Sequence, residues 1–506
     1  MRINKKLKHI LREGLFFFFA IVSQKALSSE VVQQKNIGSK ERLVIIVKEN
    51  IDLNGDTIFV PSGGVLKFDG GTISNGVVAS DNLFSIESGL RHVFKNIKID
   101  IKKGGTLKLN AEWFGITRNN SAEDNSVNFN SLLKSYSNSH IAFQDGTYRF
   151  SINHPVNGKG RFVITGETSS TFSDMPRTIF LIEGKPNQST TFLTLNTDRS
   201  TFKYVTFQTP YIKGIDRIGK IGAVKFIDGI NPGNIDSAID GCMFYHLGNS
   251  IIAYGRGLSI TNSRFQECGG VVLKQTRTLG RNTTQQPPFD GRGLFVNNVR
   301  LHWLSRGIQA GGFFNYFGTK DMAFITIQHN KEIPNSTFFG VIMNNIYADG
   351  ACQLIDCDSP ANSFIISNVF CSNPANGFLC FKRTATNIII SNNIIEDSYH
   401  GLGNYRAKNI INFEDGIENC TVADNIFGSS ENEIISIGSN KKSYCKNLVV
   451  HGNIVKDARG LLSFKKTEAQ KIRVRNNIVE RSEKFERDIR IEDDNETIIR
   501  DSIIQD

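Results

Sequence analysis

Several features that the sequence lacks narrow its function. Its 506 residues contain no Cys-x-x-Cys pair, which removes the commonest zinc-site spacing. No cysteine occurs before Cys242, which excludes a lipid-anchored N-terminal cysteine. Beyond the N-terminal region, no segment is long and apolar enough to span a bilayer. There is no basic stripe with interleaved aromatic residues and no helical reading motif, so we do not expect nucleic acid as a partner.

The eight cysteines are predicted to be core residues. Cys242 and Cys371 lie inside apolar, strand-like phrases, where a free cysteine packs as a small hydrophobic residue. Export would permit disulfides, and a bond between Cys352 and Cys357 is the alternative.

Residues 1–28 are predicted to be a cleaved secretory signal. A basic start precedes a short apolar run from Leu15 to Val22 and the small residues Ala26 and Ser28. We therefore expect an exported protein, in the periplasm, at the cell surface or outside the cell. The net charge is +10, and the signal holds six basic residues and one acidic residue, which leaves about +5. A weakly basic exported chain fits an acidic polysaccharide as partner.

One phrase recurs along the second half of the chain: an apolar residue, any residue, Asn or Ser, Asn, then two apolar residues. Copies are Val341-Ile342-Met343-Asn344-Asn345-Ile346, Ile366-Ser367-Asn368-Val369-Phe370, Ile390-Ser391-Asn392-Asn393-Ile394-Ile395, Val422-Ala423-Asp424-Asn425-Ile426-Phe427, Val450-His451-Gly452-Asn453-Ile454-Val455 and Val474-Arg475-Asn476-Asn477-Ile478-Val479. Steps of 23 to 32 residues between the second polar positions indicate a stacked solenoid. Because the phrases are short and β-branched, each repeat is expected to be strand-turn-strand.

The repeats predict an all-β parallel β-helix. A single coil leaves its apolar face exposed, whereas stacked coils pair each strand with the equivalent strands above and below. The recurrent Asn is expected at a turn, where it tolerates unusual backbone angles and bonds its counterparts in neighbouring coils. The alternative is a β-sandwich, whose turns should fall about every 8–12 residues without a shared phrase.

The domain boundaries follow from the same patterns. Residues 29–110 are predicted to be a β-rich N-terminal module, and residues 111–506 the β-helix. Within residues 111–150 we expect a short helix at about 126–136 that caps the open end of the solenoid. Its predicted apolar face consists of Val127, Phe129, Leu132 and Leu133. Residues 209–222, 274–292 and 305–337 are expected to be long excursions, and residues 303–337 give no clear strand register.

The motif Ala111-Glu112-Trp113-Phe114-Gly115-Ile116 resembles the initial segment of pectate-lyase-like β-helix proteins. That superfamily includes polysaccharide lyases, polygalacturonase-type glycoside hydrolases and phage tailspike proteins. Asp124-Asn125-Ser126, a helix and Gly146-Thr147-Tyr148 follow in the family's order, although Arg118-Asn119-Asn120 replace the usual glycines. The resemblance covers about 40 residues by motif and implies a secreted, right-handed parallel β-helix that faces carbohydrate. The polygalacturonase catalytic phrases and the calcium-binding carboxylates of pectate lyases do not carry over.

The repeat also suggests where catalytic residues lie. Four positions after the recurrent Asn, the sequence column reads Asp349, Ser372, Asp397, Ser429, Asp457 and Arg481. Strands on alternate coils are about 9.6 Å apart, and inverting glycosidases hold their two carboxyl groups about 6.5–9.5 Å apart. We therefore predict Asp349 and Asp397 as general acid and general base. Their candidate neighbours are Glu396, Asp356, Asp358 and His400. Alternatively, these acidic residues simply follow strand ends, where they are common.

Two other functions remain open at the level of sequence. A lyase needs a base and a group that neutralises a uronate carboxylate, and Tyr399, His400 and Arg406 lie close together for that purpose, with Lys382 and Arg383 about one coil before. Calcium is an expected cofactor only for a lyase. We favour a hydrolase over a lyase, with a non-catalytic carbohydrate-binding or surface protein as the rival class. The oligomeric state is open, and a homotrimer is one option.

Overall fold

The structure is a computed structural model. It describes residues 31–32, 43–103, 105–168, 176–184, 190–197, 199–210, 221–228, 234–254, 256–274, 292–302, 306–309, 312–315, 323–329, 337–349, 353–372, 374, 377–396, 408–439, 441–480, 489–491, 498–500 and 504–505. The chain divides into two compact units, one made of residues 1–107 and 112–115 and the other of residues 108–111 and 116–506. No helix among the described residues is long and apolar enough to cross a membrane.

The first unit consists of two small, mostly parallel sheets. Their strands are Val31–Val32, Val44–Val47, Val65–Phe68 and Ser85–Glu87 in one sheet, and Ile51–Asp52, Thr57–Phe59, Ile73–Ser80 and Phe94–Ile101 in the other. Phe94 packs between Phe68 and Phe114, with ring centroids 5.2 and 5.3 Å away. Asn75 and Asn96 adopt positive φ, and the Asn96 side chain donates to that of Asn75. The unit thus stacks its strands with the same asparagine turn that the sequence predicts for the solenoid.

The second unit is a parallel β-helix with three sheet faces, which confirms the predicted fold class. First-face strands are Asn138–Ala142, Arg161–Thr165, Thr201–Lys203, Asn234–Asp240, Arg256–Thr261, Arg292–His302, Phe338–Asp349, Ala361–Ser372, Ala385–Ser391, Gly416–Ala423, Ser443–His451, Thr467–Arg475 and Ile498–Arg500. Second-face strands are Gly146–Ser151, Thr178–Glu183, Val205–Gln208, Met243–Tyr245, Arg264–Gln266, Ile394–Glu396, Ile426–Ser429, Ile454–Asp457 and Ile478–Val479. Three long first-face strands, Arg292–His302, Phe338–Asp349 and Ala361–Ser372, bend and continue into the second face.

The third face is a sheet of twelve parallel strands. They are Val156–Lys159, Thr190–Thr197, Ile221–Asp228, Ile251–Tyr254, Val271–Lys274, Ile325–Gln328, Ile355–Cys357, Leu379–Phe381, Ile411–Phe413, Glu433–Ile437, Gly460–Phe464 and Ile489–Ile491. We number the coils by these strands, so coils 5 to 9 end at the fifth to ninth of them. Within residues 303–337, whose register the sequence left open, Ile325–Gln328 pairs with Val271–Lys274 and Ile355–Cys357, while residues 303–305, 310–311, 316–322 and 330–336 lie outside the described residues. The remaining described strands are Leu107–Asn110, Ile504–Gln505 and the antiparallel pair Arg306–Gln309 and Gly312–Asn315.

Apolar side chains form columns inside the coils. Strand register aligns Val341, Phe364, Ile388, Cys420, Leu448 and Ile472, all buried. Cys420 thus occupies the core position at which other coils of the same column have Leu, Ile or Phe. The seven described cysteines are free thiols, and six of them are buried, which confirms the predicted core role. The alternative disulfide involves Cys352, which lies outside the described residues; Cys357 is a free thiol whose Sγ lies 3.2 Å from the Ser359 carbonyl.

Asparagines occupy the turn between the first and second faces, as predicted. Residues there adopt left-handed backbone angles, with φ of 52° at Asn345, 54° at Asn368 and 57° at Asn392. A buried ladder follows one residue later, in which Asn393, Asn425, Asn453 and Asn477 each donate or accept a 2.9 Å side-chain bond with the next. Its side chains also bond backbone groups: Asn425 Oδ1 accepts from the Asn393 backbone N–H, and Asn393 Nδ2 donates to the Ile366 carbonyl.

The predicted N-terminal helix is present at Ala122–Ser135, and a 3₁₀ turn precedes it at Ala111–Phe114. The helix begins four residues before its predicted start because Ser121 caps it, accepting a hydrogen bond from the Asp124 backbone. Phe129 packs on Phe150 of the first coil, so the helix covers that coil's apolar interior. One predicted face residue was wrong: Val127 is 50% exposed, because the buried stripe runs through Asn125 and Ser126 instead.

Candidate functional site

The observed register changes the predicted catalytic column. Ser372 pairs with Asp349 on one side and with Glu396 on the other, so the column runs Asp349, Ser372, Glu396. The sequence alignment that placed Asp397 in this column was wrong by one residue. The reason lies at the turn, because the left-handed residue is Asn368 in coil 8 and Asn392, the first Asn of its pair, in coil 9.

Several predicted residues lie outside the described part of the chain: Asp397, Tyr399, His400 and Arg406. Asp349 is described and half-buried. Its Oδ1 accepts a 2.8 Å bond from the Ser372 hydroxyl, and its Oδ2 lies 3.4 Å from His302 Nδ1. The structure therefore places Asp349 with a hydroxyl and an imidazole. Catalytic roles for Asp349, Asp397, Glu396 and His400 stay predictions.

Asp356 and Asp358, by contrast, lie in a dense group of charged side chains on the third face. In coils 7 to 9 the strands bury Ile355 and Cys357, Leu379 and Phe381, and Ile411 and Phe413. Side chains alternate along a strand, so the residue between the two members of each buried pair lies on the outer side of the sheet. The residue that follows the second member lies on the same side. We call these the third-face cluster: Asp356, Asp358, Cys380, Lys382, Arg383, Asn412 and Glu414.

Ion pairs join neighbouring coils within the cluster. Lys382 Nζ lies 2.7 Å from Asp356 Oδ2, and Arg383 Nε lies 3.3 Å from Asp358 Oδ1. Asp356 is buried, with 9% of its surface exposed, and its Oδ1 has no hydrogen-bond partner among the described residues. Burying a carboxylate oxygen without a hydrogen-bond donor costs folding free energy. This oxygen is therefore suited to accept a hydrogen bond from a ligand or a water molecule.

The lysine of the cluster is a cation and not a base. Burial lowers the Lys382 pKa, but the hydrogen bond to Asp356 and the charge of that carboxylate outweigh it, so the pKa is raised. Lys382 therefore carries its proton at neutral pH. It can neutralise a carboxylate or donate a hydrogen bond, but it does not take a proton from substrate.

A neutral thiol separates two carboxylates of the cluster. Cys380 Sγ lies 3.6 Å from Glu414 Oε1, which also accepts a 3.3 Å bond from Asn412 Nδ2. Burial raises the pKa of Cys380 to about 12, and the nearby Glu414 and Asp356 charges add to the effect. The thiolate is the nucleophilic form of cysteine, so Cys380 is not a nucleophile here. Acid–base chemistry in the cluster thus rests with Asp356, Asp358 and Glu414.

Two of these carboxylates belong to alternate coils. Asp356 lies on coil 7 and Glu414 on coil 9, with Cys380 and Lys382 on the coil between them. Two coils at about 4.8 Å per strand are about 9.6 Å apart, and Glu414 also lies two residues further along its strand than Asp356, so their backbones are about 12 Å apart. Carboxyl groups separated by about 6.5–9.5 Å leave room for a water between catalyst and sugar. On the third face this backbone spacing holds between Asp358 and Glu414, which share a row, while Asp356 and Glu414 both contact side chains of coil 8, Lys382 and Cys380.

A histidine lies beside the cluster. Burial lowers the pKa of His329 first, Arg383 lowers it further, and Asp358 acts in the opposite direction. Its Nδ1 is buried and has no hydrogen-bond partner within the described ranges. His329 is therefore uncharged at neutral pH, which is the form that a general base requires.

Sequence reasoning missed Glu414 and His329 because it aligned only the asparagine turns. The third-face strands carry their own pattern: Ile355-Asp356-Cys357-Asp358, Leu379-Cys380-Phe381-Lys382 and Ile411-Asn412-Phe413-Glu414. Aligning these apolar-polar-apolar-polar phrases would have placed Asp358, Lys382 and Glu414 in one row. Among the described residues, no group of three or more His, Cys, Asp and Glu side chains is arranged to hold a metal ion. Calcium binding stays a prediction tied to the lyase alternative.

No family model matches the sequence, and no curated protein matches it either. Solved structures with a similar backbone course include the Agl-KA catalytic domain, at 12% identity and a TM-score of 0.47, covering 76% of this chain and 69% of that one. A PL6 alginate lyase with bound trisaccharide has 13% identity and a TM-score of 0.45, covering 76% and 84%. Tailspike protein 3 of bacteriophage CBA120 has 12% identity and a TM-score of 0.43, covering 77% and 60%. These are likenesses of fold.

Proposed function

We propose that this chain is an exported polysaccharide hydrolase whose reaction takes place at the third-face cluster. One observation carries the proposal: Asp356 and Glu414 project from alternate coils of one face, and one buried oxygen of Asp356 has no hydrogen-bond donor in the part of the chain that the structure describes. Export is part of the proposal and rests on the sequence of residues 1–28.

The two carboxylates differ in their partners, which suggests their roles. Asp356 is paired with the Lys382 ammonium, so it suits the general base that takes a proton from water. Glu414 accepts bonds from a neutral thiol and a neutral amide and contacts no cation among the described residues, so it suits the general acid. The water oxygen bonds to the anomeric carbon while the glycosidic bond breaks. The departing oxygen takes its proton from Glu414, and the anomeric configuration inverts.

A lyase at the same cluster is the second candidate, because His329 is uncharged and lies beside Arg383. In that reaction His329 would take the C5 proton of a uronate residue, Arg383 would neutralise its carboxylate, and the bond from C4 to the glycosidic oxygen would break as a C4=C5 double bond forms. Lys382, being protonated, suits donation to the departing oxygen.

The test is a screen of the purified protein on acidic and neutral polysaccharides, recording new reducing ends and unsaturated-uronate absorbance in parallel. We expect reducing ends without absorbance. Asp356→Asn and Glu414→Gln should each lower the rate at least about 100-fold, as for loss of a general acid or base. Asp424→Asn is the matched control, since its side chain is 56% exposed at an asparagine-type turn. Absorbance in parallel would favour the lyase. Binding without either signal would favour the non-catalytic protein.

A further inference from the structure

A cavity of about 510 Å³ lies on the second face, in coils 5 to 8. Its described lining includes Arg264, Arg300, His302, Tyr347 and Phe370, and none of the described lining residues is acidic. The side chains come from successive coils at one register position: Arg264 pairs with Arg300, Arg300 with Tyr347, and Tyr347 with Phe370. The cavity thus has a cationic half on coils 5 and 6 and an aromatic half on coils 7 and 8.

One donor in the cationic half lacks a partner. Arg264 Nε is buried and has no hydrogen-bond partner among the described residues, where Arg264 also forms no ion pair. Arg300, on the adjacent strand, places a second guanidinium at cross-strand distance. Two carboxylates that act on the lining residue His302 have partners of their own: Asp349 contacts His302 and Ser372, and Glu267 contacts His246.

The aromatic half offers a flat apolar surface. The Tyr347 and Phe370 rings are stacked, with centroids 5.1 Å apart and planes 10° from parallel. Tyr347 is 50% exposed although it is a large aromatic residue in a strand. The rim also carries the amide side chains of Asn298, Asn345 and Asn368. Aromatic surface beside a few polar groups is the usual lining of a small-ligand site.

We infer that this cavity is a second binding site, separate from the third-face cluster, that holds an anionic saccharide. Its carboxylate or sulfate group binds between Arg264 and Arg300, which present planar donors suited to such oxyanions. The apolar face of the neighbouring sugar ring lies against Tyr347, and the rim asparagines meet its hydroxyl groups. The site does not depend on catalysis at the third face, and it would anchor an acidic glycan whether or not that glycan is also cleaved.

The test is calorimetric titration in the Glu414→Gln background, with each probe checked by mass spectrometry for intact length afterwards, so that binding is measured on uncleaved probe whether or not the proposed function holds. The probes are an oligogalacturonate, a heparin-derived sulfated oligosaccharide, a neutral galacto-oligosaccharide and a thymidine oligonucleotide. We expect one of the two acidic saccharides to bind at least about tenfold more tightly than the neutral one, in line with hydrogen bonds to charged groups. Which acidic probe binds more tightly distinguishes a carboxylate ligand from a sulfate ligand.

Variants locate the binding. Arg264→Gln should weaken the preferred acidic probe at least about tenfold, and Tyr347→Ala, at an exposed position that folding tolerates, by about two- to tenfold. Arg473→Gln, at an exposed first-face arginine of coil 12, is the matched control and should bind as before. Equal binding of the neutral probe, tighter binding of the oligonucleotide, or wild-type affinity in Arg264→Gln would each overturn the inference.

Discussion

Lys382 Nζ lies 2.7 Å from Oδ2 of Asp356 on the neighbouring coil, while Oδ1 of the same carboxylate is buried and meets no hydrogen-bond partner among the residues described. The cation balances the charge of the carboxylate but satisfies only one of its oxygens. Folding alone would favour a carboxylate bonded at both oxygens, or an apolar residue in its place. The half-bonded state is the kind of local cost found where a ligand supplies the missing partner.

Replacing Lys382 should reveal the cost of burying the Asp356 carboxylate. Lys382→Met leaves Asp356 buried without its cation, and we expect a loss of about 1–3 kcal/mol in the free energy of unfolding. The double variant Lys382→Met with Asp356→Asn should recover part of that loss, because no charge is then buried. Chemical denaturation of the four proteins in the cycle measures both effects. Additive losses would mean that the two side chains do not interact.

The buried asparagine ladder should be a main determinant of stability. Asn425 accepts bonds from the Asn393 backbone and side chain and donates to the Ile390 carbonyl and to Asn453. Asn425→Ala leaves several buried polar groups without their hydrogen-bond partners. We therefore expect a loss of about 2–5 kcal/mol in the free energy of unfolding.

The control is a ladder at the protein surface. Asn419 bonds Asn387 and Asn447 but is exposed, and its φ of 55° suits glycine. Asn419→Gly should cost less than about 1 kcal/mol, since water replaces the lost bonds. Similar thermal midpoints for the two variants would show that burial of the ladder contributes little.

Protonation of Glu267 should lower the stability of the protein in acid. Its pKa lies below the usual 4.5, first because His246 bonds its carboxylate at 2.8 Å, against the opposing effect of burial. A depressed carboxyl pKa adds stability that is present above the unfolded value and is lost as pH falls through the folded value. Glu267→Gln should therefore be less stable than wild type near neutral pH, and the gap should close below about pH 4.5. Denaturation at a series of pH values measures the gap, and a gap that widens in acid would contradict the assignment.

The thiols should be unreactive in the folded protein. Burial raises the pKa of Cys242, Cys268, Cys357 and Cys420 to about 12, so thiolate is scarce at neutral pH. Mass spectrometry after brief iodoacetamide treatment should show these four residues unmodified in native protein and fully modified after denaturation. Rapid native labelling of Cys420 would mean that the core opens at coil 10.

The fold was accessible from sequence because it repeats. The Asn-centred turn recurs from coil to coil, so one ambiguous copy has little effect on the prediction. The parallel β-helix was predicted from the whole series of copies. The site was less accessible, because it depends on register to a single residue. Reading Asn393 in place of Asn392 as the counterpart of Asn368 moved Asp397 into a column that Glu396 occupies.

The third-face cluster could not be predicted from the asparagine turns. Its strands are only three residues long and separated by excursions of varied length, so no constant period links Asp356 to Glu414. Asp356 and Asp358 were named from sequence as neighbours of another pair, and only the strand pairing places them with Lys382, Arg383 and Glu414. The cavity at Arg264 likewise depends on side chains from four coils.

The most direct test of the account is cleavage of the active polysaccharide in oxygen-18-labelled water, with the products weighed by mass spectrometry for wild type and Glu414→Gln. Hydrolysis at the third-face cluster predicts one labelled oxygen at each new reducing end in wild type and almost no product in the variant. Unlabelled, unsaturated products would contradict hydrolysis, and labelled products formed at the wild-type rate by Glu414→Gln would contradict the site.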